Sequence, residues 1–97
     1  MPKEISLLVL IEVKPRLRGK QIDVYKELAP LVLAEKGCLQ YELKAVENKE
    51  NEFVLLEKWE SIEALSAHDV TEHMIEADAS NSSYRAKPAT VVKLFNI

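Results

Sequence analysis

Glu57, His68 and His73 are the side chains of this chain best suited to proton transfer near neutral pH, and all three fall between residues 57 and 74. His68 and His73 are the only histidines, and the only tryptophan, Trp59, stands two residues from Glu57. Imidazole ordinarily titrates near neutrality, so a histidine at a pocket wall is a candidate general base. Glu57 lies between Leu55 and Trp59 in an alternating stretch, which turns it to the inner side of a strand. A carboxylate among apolar neighbours holds its proton more tightly unless it is paired. Such a group is either an acid–base catalyst or a hydrogen-bonded anchor.

The histidines are five residues apart, not four as in the zinc-binding HExxH pattern. On a regular helix that spacing rotates one ring from the other by about 140°. Thr71 is a helix-start residue, and a break there would let the rings converge. The alternative is one ring hydrogen-bonded at a helix junction and the other in solvent, and no metal site is assigned. Tyr41 and Trp59 sit on neighbouring strands, where they either wall a pocket for a flat substrate or pack in the core. Arg85 and Tyr84, in the polar loop before the last strand, could gate a pocket or clamp an anion, or the loop is simply solvated. Cys38 reads as a small apolar residue. With only Gly19 and Gly37 as glycines there is no phosphate loop or dinucleotide fingerprint, and no GxSxG elbow occurs.

These side chains need elements to hold them. Residues 4–13 read as a central strand, with Ile5, Leu7, Val9, Ile11 and Val13 on one face and Leu8 and Leu10 on the other. Residues 20–36 read as a helix with Ile22, Tyr25, Leu28, Ala29 and Val32 inward, kinked near Pro30 and stopped by Gly37. Residues 38–47 and 52–60 form a hairpin through a turn at 48–51, with Leu39, Tyr41, Leu43 and Ala45 facing Phe53, Leu55, Glu57 and Trp59. Ser61 caps a helix that sends Ile62, Ala64 and Leu65 to the core, and Thr71 caps another reaching about Ala79. Residues 89–96 make the last strand. The order β-α-β-β-α-β predicts an α+β, ferredoxin-like antiparallel sheet with helices on one face.

The 97 residues fit one domain, 1–97. Net charge is −3, with basic and acidic residues mixed, so nucleic acid is not an expected partner. The longest apolar run, residues 7–11, is far short of the roughly 20 residues that span a bilayer. The opening MPKEIS lacks a secretory leader, and a lone cysteine makes no internal disulfide. A cytoplasmic protein is expected. Helices on one side leave Leu8, Leu10 and one set from the last strand uncovered on the other. Monomers rarely expose such a patch, so a homodimer packed sheet to sheet is expected; a ligand cavity on that face is the alternative.

Three tracts in order, Glu-Lys-Gly-Cys-x-x-Tyr at 35–41, Phe-Val-Leu-Leu-Glu-Lys-Trp at 53–59 and Ala-Leu-x-Ala-His-x-x-Thr-x-His-Met at 64–74, resemble the antibiotic biosynthesis monooxygenase domain family. The pattern is most similar to bacterial quinol monooxygenases. The resemblance implies a dimeric α/β-barrel with a pocket between sheet and helices in each subunit. It implies oxidation of a quinol- or phenol-type aromatic by molecular oxygen with no metal, flavin or haem cofactor. Glu57, Trp59, His68 and His73 match family positions near the pocket, and Tyr41 matches an aromatic position. Glu72 replaces the proline frequent before the second histidine. Where the haem-degrading branch carries its iron ligand, this chain has Glu76, Asp78 and Asn81, which disfavours haem. Two other readings stay open: a hydroxy-ketone isomerase of the autoinducer-2-processing type, with Arg16, Arg18 or Arg85 for a phosphate, and a non-catalytic ligand-binding dimer without an open cavity.

Overall fold

The computed structural model describes residues 3–97; the first two residues of the opening segment read for a leader lie outside them. Strand β1 (Ile5–Glu12) alternates as its sequence dictates, with Ile5, Leu7, Val9 and Ile11 buried. Helix α1 (Arg18–Leu33) lays Ile22, Tyr25, Leu28, Ala29 and Val32 on the core, as the helical spacing predicts. β2 (Cys38–Val46) and β3 (Lys49–Trp59) form the hairpin, and β3 buries Phe53, Leu55, Glu57 and Trp59 on one side. Helices α2 (Ile62–Asp69) and α3 (Glu72–Ser80), a short 3-10 turn (Asn81–Ser83) and β4 (Thr90–Phe95) complete the chain. The strands run in the order β2-β3-β1-β4, each antiparallel to its neighbour. This is the expected ferredoxin-like α+β fold, with β1 and β3 central.

The departures from the sequence reading are local and have physical causes. The first helix stops at Leu33 rather than 36, and residues 34–37 form turns that end in Gly37. Gly37 has φ +85, and a Cβ there would lie 2.6 Å from Ala64 Cβ and 2.9 Å from Glu60 Cγ, so only glycine lets this turn press against α2. The hairpin turn is just Glu47 and Asn48, with Val46 opposite Lys49 and φ 62 at Asn48, rather than the four residues 48–51. Leu39 does not face the core. A bulge lets Cys38 oppose Trp59 and Gln40 oppose Lys58, leaving Leu39 as the extra, half-exposed residue. Ile62 sits in the first turn of α2 and faces solvent. Tyr84, read as a loop residue, is 1% exposed and belongs to the core.

The helices do not cover the whole sheet. Every residue of β4 is exposed, on both faces. Leu8, Leu10, Val54, Leu56, Val92 and Leu94 share the outer face, because β1 pairs Leu8 with Leu56 and Val92 in one row. That register settles which set of β4 the outer face carries.

Candidate active site

A cavity of about 950 Å³ lies between the inner face of the sheet and the helices. Its floor follows from strand register. Tyr41, Glu57, Leu7 and Lys93 form one row across four strands, and Leu43, Leu55, Val9 and Val91 form the next. All eight line the cavity. The lining thus sets Tyr41 and Glu57 at one end of a row and Lys93 at the other, with Leu7 between them and aliphatic groups in the next row.

His68 enters this cavity from the last turn of α2 while only 2% exposed. Three neighbours fix its ring. Trp59 packs against it at 4.5 Å between centroids, and Tyr41 stands edge-on at 6.2 Å. Glu35 accepts from Nδ1, at 2.9 Å to Oε2 and 3.1 Å to Oε1. With Nδ1–H committed to Glu35, the lone pair of a neutral ring resides on Nε2. Nε2 lies 4.0 Å from Glu57 Oε1, too far for a hydrogen bond. A bond to a charged partner contributes about 1.5–3 kcal/mol, enough to hold a single orientation.

Glu57 is 7% exposed and accepts from the indole Nε1 of Trp59 at 3.0 Å. Burial raises its pKa above the usual carboxylate value, against the opposing pull of that indole bond and of His68. Burial, with help from the Glu57 charge, also raises the pKa of the Tyr41 phenol, which therefore stays protonated. Tyr25 donates its hydroxyl to the Tyr41 carbonyl at 2.9 Å and stacks on its ring, locking that wall in place. Burial pushes the Cys38 thiol up as well, so it is no activated nucleophile.

The break between α2 and α3 occurs at Thr71. Its hydroxyl donates to the His68 carbonyl at 2.9 Å and accepts from the Met74 amide at 3.3 Å, ending one helix and capping the next. That turn brings His73 round to the same carboxylate: Nε2 lies 2.7 Å from Glu35 Oε2. The donor atoms of Glu35, His68 and His73 fall within 4.8 Å of one another, a set that could ligate a divalent metal. One carboxylate oxygen at hydrogen-bond distance from both nitrogens is equally what two N–H donors produce.

The predicted site residues therefore separate into two groups. His68, Glu57, Tyr41 and Arg85 line the cavity. Trp59 and His73 do not. Trp59 is 0% exposed and touches Glu57 and His68 from behind, so it is no wall for a substrate; the inward face of β3 carries it under α2. Of the arginines weighed for an anion, Arg18 is occupied elsewhere, donating to the Glu50 carbonyl at 2.8 Å above the Phe53 ring. Arg16 and Arg18 lie outside the lining. Tyr84 cannot gate from within the core. The residue missed in the sequence is Glu35. The sequence reading includes it in the helix over 20–36, which in fact ends before it at Leu33. Its place at the head of the tract 35–41 was the only signal available.

Residues 5–80 match the family described as antibiotic biosynthesis monooxygenase. A Bacillus subtilis (strain 168) protein named putative monooxygenase YcnE is 34% identical over 89 residues, covering 92% of this chain and 94% of its own. Among solved structures, a putative antibiotic biosynthesis monooxygenase from Caulobacter crescentus CB15 superposes with a TM-score of 0.92 at 26% identity, covering 99% of this chain and 92% of that one. PA3566 of Pseudomonas aeruginosa gives 0.90 at 25% identity, over 100% and 97% of the two chains.

Proposed function

This chain belongs to the antibiotic biosynthesis monooxygenase family, and from that membership we propose that it oxidises a small quinol- or phenol-type aromatic with molecular oxygen, as a homodimer and without a flavin, haem or metal cofactor. The observation that carries the proposal is His68: a buried imidazole, held through Nδ1 by Glu35, with Nε2 free at the wall of a cavity. A 950 Å³ cavity is within the usual range for small-molecule sites and runs against the closed core that a non-catalytic dimer would show.

In this mechanism Nε2 of His68 takes the proton of a bound hydroxyl, and Glu35 stabilises the imidazolium. Glu35 is a positioning residue. His73, beyond it and 22% exposed, gives the proton a hydrogen-bonded path to solvent. Glu57, with its raised pKa, donates or shares a proton with the substrate's second oxygen, and Tyr41 packs on the ring. The deprotonated ring gives one electron to oxygen, and the two radicals join at a ring carbon as a hydroperoxide. Loss of water leaves a carbonyl, so hydroquinone and O2 yield hydroxyquinone and H2O with atoms and electrons balanced. The substrate supplies the electrons that a flavin otherwise would. A proton-transfer reaction on a hydroxy ketone would use the same His68 and consume no oxygen.

The test is oxygen uptake by the purified protein with hydroquinone, run under 18O2. Uptake above the rate of autoxidation with one labelled atom in the product supports the reading. No uptake with any of a panel of quinols, or uptake that yields only unlabelled quinone and peroxide, would sink it.

A further inference from the structure

The cavity that His68 lines also holds several cations, most of which have no ion-pair partner among the described residues. Arg85, Lys14, Lys87 and Lys93 all line it. Lys87 pairs with Glu12, Nζ to Oε1 at 3.9 Å. Among the described residues, Arg85, Lys14 and Lys93 have no carboxylate at ion-pair distance. Lys14 reaches only the Ser83 carbonyl, at 3.5 Å.

Arg85 is built in rather than left loose. It is half-buried, and its backbone bridges to Val13 at the end of β1. Its Nε donates to Gln21 Oε1 at 3.1 Å, and Gln21 is 3% exposed. The Asn81 amide satisfies its surroundings when its oxygen accepts from Arg85 Nη1 at 3.2 Å and its nitrogen donates to the Tyr84 hydroxyl and the Ala77 carbonyl. Two neutral amides thus aim a permanently charged fork, and neither cancels its charge. Desolvating a guanidinium without a counter-charge is unfavourable, and a planar fork matches the oxygens of a carboxylate or phosphate. Asp69 and Asp78 also line the cavity, and neither pairs with Arg85.

Register sets the span. Lys93 is separated from Glu57 by Leu7 alone, two inter-strand steps or about 10 Å across the floor. A single aromatic ring with an acidic substituent fits that interval, its hydroxyl toward Glu57 and His68 and its acid toward the cations. We infer that the substrate carries an oxyanion group, a carboxylate or a phosphate monoester, on its hydroxylated ring, and that Arg85 holds this group with Lys93 and Lys14 beside it. The inference rests on the proposed function in taking the cavity as the place where substrate lies and a hydroxylated ring as its body.

The experiment is calorimetric binding without oxygen, so that turnover plays no part, using hydroquinone, 2,5-dihydroxybenzoate and 4-hydroxyphenyl phosphate. At least one acid should bind the native protein roughly tenfold more tightly than hydroquinone, the size expected of a charge-assisted contact, and which acid wins separates carboxylate from phosphate. Arg85→Gln should erase that preference, and Lys93→Gln, on a fully exposed strand, should reduce it. Equal affinities of the native protein for all three compounds would overturn the inference whether or not any variant folds, as would a preference unchanged in Arg85→Gln. Preferential binding of an acid with no oxygen uptake would defeat the oxidation and leave the anion site standing.

Discussion

At the scale of single residues, the site depends on one carboxylate that is charged with reluctance and another that is shared. Glu57 has a folded pKa raised above the ordinary value of 4.5, chiefly by burial. A carboxyl raised in the folded state favours folding while it keeps its proton, so stability is fully present below pH 4.5 and is lost as pH rises through the higher folded value. Glu57→Gln removes that titration and preserves an oxygen for the Trp59 indole. Urea unfolding should show the variant gaining on the native protein from pH 4 to pH 8; a difference constant with pH would contradict the assignment of burial as the dominant cause. The sequence made the raised Glu57 legible, because alternation alone puts it between Leu55 and Trp59. It hid Glu35, since a glutamate ahead of Lys36 and Gly37 looks like any polar helix end. What sets Glu35 apart is its meeting with two histidines more than thirty residues away.

At the scale of elements, the geometry of the candidate site is made by two interruptions. Thr71 breaks the second helical segment so that histidines five apart in sequence reach one carboxylate. Its character as a cap was readable from its type, and the convergence it permits was an open alternative that the structure settles. Gly37 turns the chain after α1 so that Glu35 comes under α2. Gly37→Ala imposes an unfavourable φ and a 2.6 Å contact with Ala64, so about 2–4 kcal/mol of stability should be lost in denaturant unfolding. A loss below about 0.5 kcal/mol would mean that the turn relaxes freely and does not fix Glu35. The bulge at Leu39 was not legible, because alternation through Leu39, Tyr41 and Leu43 is unbroken in the sequence. Only pairing with β3 shows that the chain has one residue too many there.

At the scale of the molecule, β4 and the outer face remain uncovered. Leu10, Val92 and Leu94 are 38–48% exposed on a face that the helices never approach. Pairing of two copies through this face would bury six aliphatic side chains per subunit, at about 25 cal/mol for each Å2 of apolar surface removed from water. Light scattering should give twice the chain mass of 11.0 kDa, and Leu10→Lys combined with Val92→Lys should shift it to the single-chain value; a native protein that is monomeric at micromolar concentration would refute the pairing. The fold itself was legible because β1 and β3 alternate buried and less buried residues and α1 carries one apolar stripe. The cavity was not, because its floor depends on which residues of four strands fall in one row.

The most direct test of the central claim, that His68 positioned by Glu35 is the base of an oxidising site, is a steady-state comparison of native, His68→Ala and Glu35→Gln proteins by oxygen uptake with a quinol substrate. The account predicts a fall in kcat of about 10²–10⁴ for His68→Ala and a smaller fall for Glu35→Gln with KM nearly unchanged. Native-like kcat in His68→Ala, or a Glu35→Gln effect confined to KM, would contradict it.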